Sequence, residues 1–120
     1  MAKPGKVGFD RVFGAMKYSS QGLRAQWKHE AAFRQEVCLF LFALPFAIWL
    51  GDSGLERAVL ILSVGLVLIV ETLNSSVEAI VDRISHEHHE LSGRAKDLGS
   101  AAVMLALILA GIVWLVILFG

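Results

Sequence analysis

The chain has 120 residues, of which 56% are hydrophobic and only 18% are charged, and its formal net charge at pH 7 is zero. This composition excludes an ordinary soluble domain, and without a basic excess there is no reason to expect nucleic acid as a partner. One domain fits this length, and the single cysteine, Cys38, excludes a disulfide within the chain.

The first predicted element is an amphipathic helix over residues 9–28. Its apolar residues recur at helical spacing, and its charged residues fall mainly on other faces. The apolar set is Phe9, Val12, Phe13, Met16, Leu23 and Trp27, and the basic set is Arg11, Lys17, Arg24 and Lys28. A soluble helix packed on a core would show the same pattern. Because apolar runs follow, we expect a helix that lies on the membrane surface.

Three apolar runs follow, and each is predicted to cross the membrane. Spanning takes roughly 20 residues, a length reached by residues 31–50, 55–82 and 98–119. We expect Pro45 to bend the first span without ending it, because lipid penalises broken backbone pairing. A polar turn at 51–54 and a charged segment at 83–97, read as a surface turn at Ser92 and Gly93, connect the spans. The predicted fold is therefore an all-α membrane protein.

The distribution of basic residues predicts the orientation of these spans. Six lysines and arginines precede the first span, a seventh, Arg34, lies at its start, and three lie in the 83–97 segment, whereas the 51–54 turn has only Arg57 nearby. By the positive-inside rule, the N-terminus and the 83–97 segment lie in the cytosol, and the C-terminus lies outside. The polar residues near the second span then face the side where nucleotides are available.

A polar stripe lies along the end of the second span. At 100° per residue, Glu71, Ser75, Glu78 and Asp82 share one narrow face, with Asn74 at its margin. Carboxylates within a membrane are costly and normally face protein or water. We therefore expect a homo-oligomer that shields this face. The small-residue row Ala102, Ala106 and Ala110 gives this weak support, since helix propensity explains the row equally well.

Depth separates the two glutamates of the stripe. Seven residues place Glu71 roughly 10 Å nearer the membrane centre than Glu78. A lipid hydroxyl would meet Glu71 first, and a metal with phosphate belongs near Glu78. This division predicts phosphoryl transfer to a lipid alcohol, with Glu30 as a second metal ligand and Lys96 and Asp97 nearby. The alternative is structural: both acids are protonated or paired with Arg34 or Lys96.

Two further groups of residues are read more plainly. The cluster HEHHE at residues 86–90 is too crowded for a clear zinc pattern. We interpret it as a solvated, charged connection between helices. Contact with a nucleotide is the second interpretation. The three tryptophans are interpreted as interfacial anchors.

Three stretches resemble the bacterial integral-membrane diacylglycerol kinases: EAAFRQE at 30–36, ETLNSSVEAIVDRI at 71–84 and HELSGRAKDLGSAAV at 89–103. The resemblance implies a homotrimer in the inner membrane, with a periplasmic C-terminus and sites shared between neighbouring subunits. It implies transfer of the γ-phosphate of ATP, with Mg²⁺ as cofactor, to diacylglycerol. The product would be phosphatidic acid, and the setting would be the recycling of diacylglycerol released by headgroup transfer to periplasmic glycans.

The resemblance also implies roles for individual residues. Glu71 would be the catalytic base, and Glu30 and Glu78 would hold the metal. The implied nucleotide-binding residues are Arg11, Tyr18, Glu30, Asn74, Glu78, Glu87, His88, His89, Lys96 and Asp97. The implied lipid-binding residues are Arg11, Glu71, Ser100 and Trp114.

Three alternatives stay open at this point. A kinase for undecaprenol, from the same superfamily, would resemble this chain around the glutamates. A small ion-conducting oligomer would line its pore with the stripe from Glu71 to Asp82. A structural membrane subunit would use the same acids for assembly alone. Lipid phosphorylation, conductance and assembly assays distinguish the three.

Overall fold

The computed structural model describes residues 8–84, 87 and 89–120, and all the regular structure in these ranges is α-helical. Four helices follow in order: α1 (Phe9–His29), α2 (Ala31–Leu50), α3 (Gly54–Ile84) and α4 (Glu90–Phe119). The chain divides into two compact units, one ending at Ala31 and one running from Ala32 to Gly120. The predicted all-helical fold is confirmed.

The first unit is essentially helix α1. Phe9, Phe13 and Met16 are 82%, 65% and 61% exposed. Large apolar side chains so open to the outside need a cover, which a membrane surface provides. The helix ends at Glu30, which is extended and whose backbone N–H donates to the Gln26 carbonyl at 3.0 Å. The predicted helix exists, and its position on the membrane surface stays a prediction.

A tight turn joins helix α2 to helix α3. Pro45 lies inside α2, which continues to Leu50, so the prediction that this proline does not end the helix is confirmed. Arg57 closes the turn, since its Nε donates to the Ile48 carbonyl at 3.0 Å. A Cβ on Gly51 would lie 2.6 Å from the Arg57 Cγ. This close approach requires glycine at the turn.

Helices α3 and α4 form the most extensive helix pair of the described residues. Val67 of α3 packs on Ala106 and Ala110 of α4, and the Trp114 Nε1 donates to the Ser63 Oγ at 3.1 Å. The small alanines let the two backbones approach. Ala106 and Ala110 make this contact within one chain, whereas Ala102 is exposed, so the oligomer stays a prediction.

Helix α4 begins about two turns before the predicted start. Ser92 and Gly93 lie inside its first turn, so the surface turn predicted there was wrong. The physical reason is the cap: the His89 Nδ1 accepts from the Leu91 N–H at 3.1 Å. The Gly93 N–H donates to the His89 carbonyl at 2.9 Å, which starts the helical ladder.

Three helices, α2, α3 and α4, are long and apolar enough to cross a membrane. Their outer faces carry exposed side chains such as Leu41, Leu62, Ile69 and Leu105. Helix α3 packs against α4, and this packing buries Glu71 and Asn74 of the polar stripe, whereas Glu78 and Asp82 are exposed.

Candidate active site

Glu71 lies in the middle of the second unit and is only 5% exposed. Helix α3 places it there because the residues one and two turns earlier on the same face, Val67 and Val64, are buried as well. The Ser75 hydroxyl donates to the Glu71 backbone carbonyl at 3.0 Å, which satisfies that hydroxyl within the helix. Glu71 is therefore a carboxyl group held in a largely water-free setting.

The side chain that meets Glu71 from α2 is Glu36. The two carboxyl groups lie close enough to share a hydrogen bond. A carboxylate has no hydrogen to donate, so such a bond exists only when one of the two groups carries a proton. The Glu36 Oε2 is buried and has no hydrogen-bond partner among the described residues. Glu36 is thus the neighbour with which Glu71 could share a proton, and sequence reasoning did not include it in the site.

Asn74 lies between Glu71, at the deep end of the stripe, and Glu78, nearer its shallow end. Its side chain is buried, with 8% exposure, and its Nδ2 donates to the Glu78 Oε1 at 3.0 Å. Its Oδ1 is buried without a hydrogen-bond partner among the described residues. Glu78 itself is exposed. Asn74 lies at the margin of the stripe, on the side that α4 covers, and it is one of the buried polar residues.

Lys96 lies on α4 opposite the shallow end of the stripe. Its Nζ forms an ion pair with the Asp82 Oδ1 at 2.7 Å, and both side chains are about half exposed, at 45% and 49%. The lysine is thereby held next to the turn of α3 that carries Glu78. Asp97 and Ser100 are exposed on the same helix.

The segment before α4 carries two of the other predicted nucleotide residues. Glu87 and His89 are exposed. The Nδ1 of His89 is used as the helix cap, which leaves its Nε2 as the ring atom for any ligand. His88 lies outside the described residues.

Three predicted residues belong to the first unit. Arg11 is exposed, whereas Tyr18 and Glu30 are half-buried. Glu30 is the C-cap of helix α1, so the end of that helix fixes its backbone. In the part of the chain that the structure describes, no three His, Cys, Asp or Glu side chains gather as a metal site. Mg²⁺ takes only one or two carboxylates and leaves its other positions to phosphate and water, so the exposed carboxylate of Glu78 fits as one of its ligands.

An apolar groove of about 450 Å³ runs between α2, α3 and α4. Trp114 and Leu50 line it, and so do Val67 and Leu39. Val67 is one helical turn before Glu71, and Leu39 is one turn after Glu36. The groove therefore ends next to the pair of carboxyl groups. Trp114, also interpreted as an interfacial anchor, instead donates its N–H to Ser63 within the chain.

The structure brings part of the predicted site together. Helix α3 carries Glu71, Asn74 and Glu78 in succession, and Asn74 contacts Glu78. Lys96 of α4 is held near Glu78 by its ion pair with Asp82, one turn further along α3. Glu36 could have been noticed in the sequence, since it is an acid inside the first predicted span. Its partner could not, because nothing in the sequence sets the register of α2 against α3.

Comparison with known proteins agrees with this arrangement. The family model for prokaryotic diacylglycerol kinase matches residues 17–118. The diacylglycerol kinase of Escherichia coli (strain K12) is 56% identical over 95% of this chain and 93% of its own length. That of Haemophilus influenzae is 50% identical over 94% and 96%, and that of Helicobacter pylori (strain 26695) is 43% identical over 92% and 87%. This chain therefore belongs to the prokaryotic diacylglycerol kinase family.

Proposed function

We propose that this chain transfers the γ-phosphate of MgATP to the free hydroxyl of diacylglycerol, giving ADP and phosphatidic acid. Family membership supports the reaction, since relatives up to 56% identical bear the name diacylglycerol kinase. The observation that carries the mechanism is the contrast between buried Glu71 and exposed Glu78 on one helix. A lipid reaches the first from the bilayer, and a nucleotide reaches the second from water.

Glu71 is the proposed base. The lipid hydroxyl oxygen attacks the γ-phosphorus, the new O–P bond forms, and the bond from that phosphorus to the bridging oxygen of ADP breaks. The hydroxyl proton passes to the Glu71 carboxylate. For this role Glu71 must start as the unprotonated member of its pair, so the shared proton resides on Glu36. Glu36 thereby holds the base in position by donating a hydrogen bond to it.

Glu78 and Glu30 are the proposed ligands of Mg²⁺. When bound, Mg²⁺ neutralises charge on the phosphates of ATP. Asn74 holds the Glu78 Oε1, which leaves the other carboxylate oxygen for the metal. Lys96 and Asp97 complete the proposed nucleotide site, and they are joined there by Arg11, Tyr18, Glu87, His88 and His89.

The groove is the proposed seat of the lipid's acyl chain. It is lined by apolar side chains and ends one turn from Glu71, so an acyl chain lying in it brings the attached glycerol hydroxyl towards the base. Trp114 lines its far end. Arg11 and Ser100 are the proposed polar contacts of the glycerol backbone.

We propose that the active form is a homotrimer in the bacterial inner membrane, with the N-terminus and active site on the cytosolic side. The exposed carboxylate of Glu78 and the basic residues of the 83–97 segment support this orientation. Chemical cross-linking in native membranes should yield a ladder that stops at three subunits. Labelling of the lone Cys38 provides a second count of subunits per particle.

The proposed function is tested by transfer of labelled γ-phosphate from MgATP to dioleoylglycerol in mixed micelles. We expect labelled phosphatidic acid from the purified protein and about 10³-fold slower formation by the Glu71→Gln variant. Turnover of undecaprenol but not of dioleoylglycerol would assign the chain to the other lipid. Failure with both lipids, together with conductance in liposomes, would replace the kinase by an ion-conducting oligomer.

A further inference from the structure

We propose that Gly99 is a positioning residue of the site, because its missing side chain leaves the space in which Asn74 holds Glu78. Gly99 lies inside helix α4, where it faces Asn74 of α3. The proposal deepens the proposed function and rests on it for the roles of Asn74 and Glu78. The contact itself is a property of the α3 and α4 packing.

The geometry leaves no room for a methyl group at this position. A Cβ built on Gly99 would lie 3.1 Å from the Asn74 Cγ, and it would overlap the Asn74 Oδ1. The overlap involves the middle of a short side chain as well as its tip. Asn74 has only two side-chain torsions, so it cannot move its amide away from Gly99 and keep the same hydrogen bond.

Asn74 is held on its other side as well. Its Nδ2 donates to the Glu78 Oε1 at 3.0 Å, and its side chain is 8% exposed. The Oδ1, which has no hydrogen-bond partner among the described residues, rests against the glycine backbone instead. Glycine offers hydrogens there that can make weak Cα–H···O contacts. Asn74 is thus clamped between Gly99 and Glu78, and a change at Gly99 is transmitted to Glu78.

A glycine inside a helix is otherwise unfavourable. It lowers helix propensity relative to alanine, so a glycine at a packed position calls for a local reason. Gly65 of α3 provides the comparison: a Cβ there would lie 3.5 Å from the Phe40 Cε1, which is an ordinary contact. Alanine therefore fits at Gly65 and does not fit at Gly99.

The test compares Gly99→Ala with the matched control Gly65→Ala in the full-length protein in detergent micelles. We expect Gly99→Ala to lower kcat/KM for MgATP by about 10-fold to 100-fold, as misplacement near 1 Å does. The Mg²⁺ concentration needed for half-maximal rate should rise, because Glu78 is displaced. Gly65→Ala should keep both values and gain thermal stability. Wild-type kinetics in Gly99→Ala would overturn the proposal.

A double-mutant cycle separates positioning from general damage to the fold. In an Asn74→Ala background the new methyl group has room, so we expect Gly99→Ala to cause no further loss of turnover and to raise the melting temperature. An equal loss in both backgrounds would overturn the proposal. If Gly99→Ala alone fails to assemble, recovery of assembly in the double variant supports it, and no recovery contradicts it.

The melting temperatures also keep this proposal apart from the proposed function. If the wild type phosphorylates no diacylglycerol, the function fails, yet the four melting temperatures of the cycle still measure the coupling between Gly99 and Asn74. A coupling of zero would remove the contact and the positioning role with it. A positive coupling would establish the clamp whatever substrate the site takes.

Discussion

The deep and shallow ends of the polar stripe on α3 carry the same residue type in opposite environments. Glu71 is buried beside the carboxyl group of Glu36, whereas Glu78 is exposed and accepts a hydrogen bond from the amide of Asn74. A buried acid that shares a proton suits proton transfer, and an exposed carboxylate suits a metal ion. Depth in the membrane and the neighbouring helix decide which role each glutamate takes.

The largest effect should come from Glu71→Gln. Glutamine keeps the size of the side chain but cannot accept the hydroxyl proton, so we expect kcat to fall by about 10³-fold. Steady-state phosphorylation of dioleoylglycerol at saturating MgATP measures this. Ser76→Ala, at an exposed position of the same helix, serves as the control and should keep wild-type turnover. A Glu71→Gln variant with wild-type kcat would remove Glu71 from catalysis.

The matching change at the shallow end is Glu78→Gln. We expect a loss of about 100-fold that is partly recovered at high Mg²⁺, because the neutral amide is a weaker ligand. A Mg²⁺ titration of the rate measures it. High Mg²⁺ should not rescue Glu71→Gln, and equal rescue of both variants would erase the distinction between the two ends.

Substitutions of Glu36 test whether its hydrogen bond to Glu71 matters for catalysis. Glutamine at this position can still donate a hydrogen bond to the Glu71 carboxylate, whereas alanine cannot. We expect Glu36→Ala to lower kcat by about tenfold, and Glu36→Gln to stay close to the wild type, since one charge-assisted hydrogen bond is involved. Steady-state kcat values of the two Glu36 variants measure this difference. Equal losses in both variants would mean that Glu36 acts through its charge.

The smallest effect should come from Asp82→Asn. The Lys96–Asp82 ion pair is half exposed, so water and salt screen it. We expect a drop of at most a few degrees in melting temperature that disappears in high salt. Thermal unfolding at low and high ionic strength measures it. A large, salt-independent drop would show that the shallow end is as closely packed as the deep end.

Most of the helical fold could be predicted from the sequence, and the errors have local causes. The bounds of α2 and α3 follow from apolar length. The start of α4 does not, because its first turn is charged and contains Gly93, and only the cap at His89 shows that the helix has begun. Sequence patterns detect the membrane-spanning part of a helix better than its polar extension.

The sequence predicted which residues belong to the site better than it predicted how they contact one another. Glu71, Asn74 and Glu78 were predicted, and the structure joins Asn74 to Glu78 on the exposed side of Glu71. The roles of the residues in the first unit stay predictions. The sequence could not show that Ala106 and Ala110 pack within one chain, because a helical face has the same pattern whether it packs within a chain or between chains.

The sequence by itself determined four helices, three of them long enough to span a membrane, and a polar stripe that lipid cannot cover. Those properties depend on composition and on the 3.6-residue period, which are local. Only the tertiary structure decided that Glu36 meets Glu71, that Asn74 is clamped against Gly99, and that Lys96 pairs with Asp82. These contacts depend on the register of one helix against another, which is set by side-chain packing over the whole unit and has no local signature.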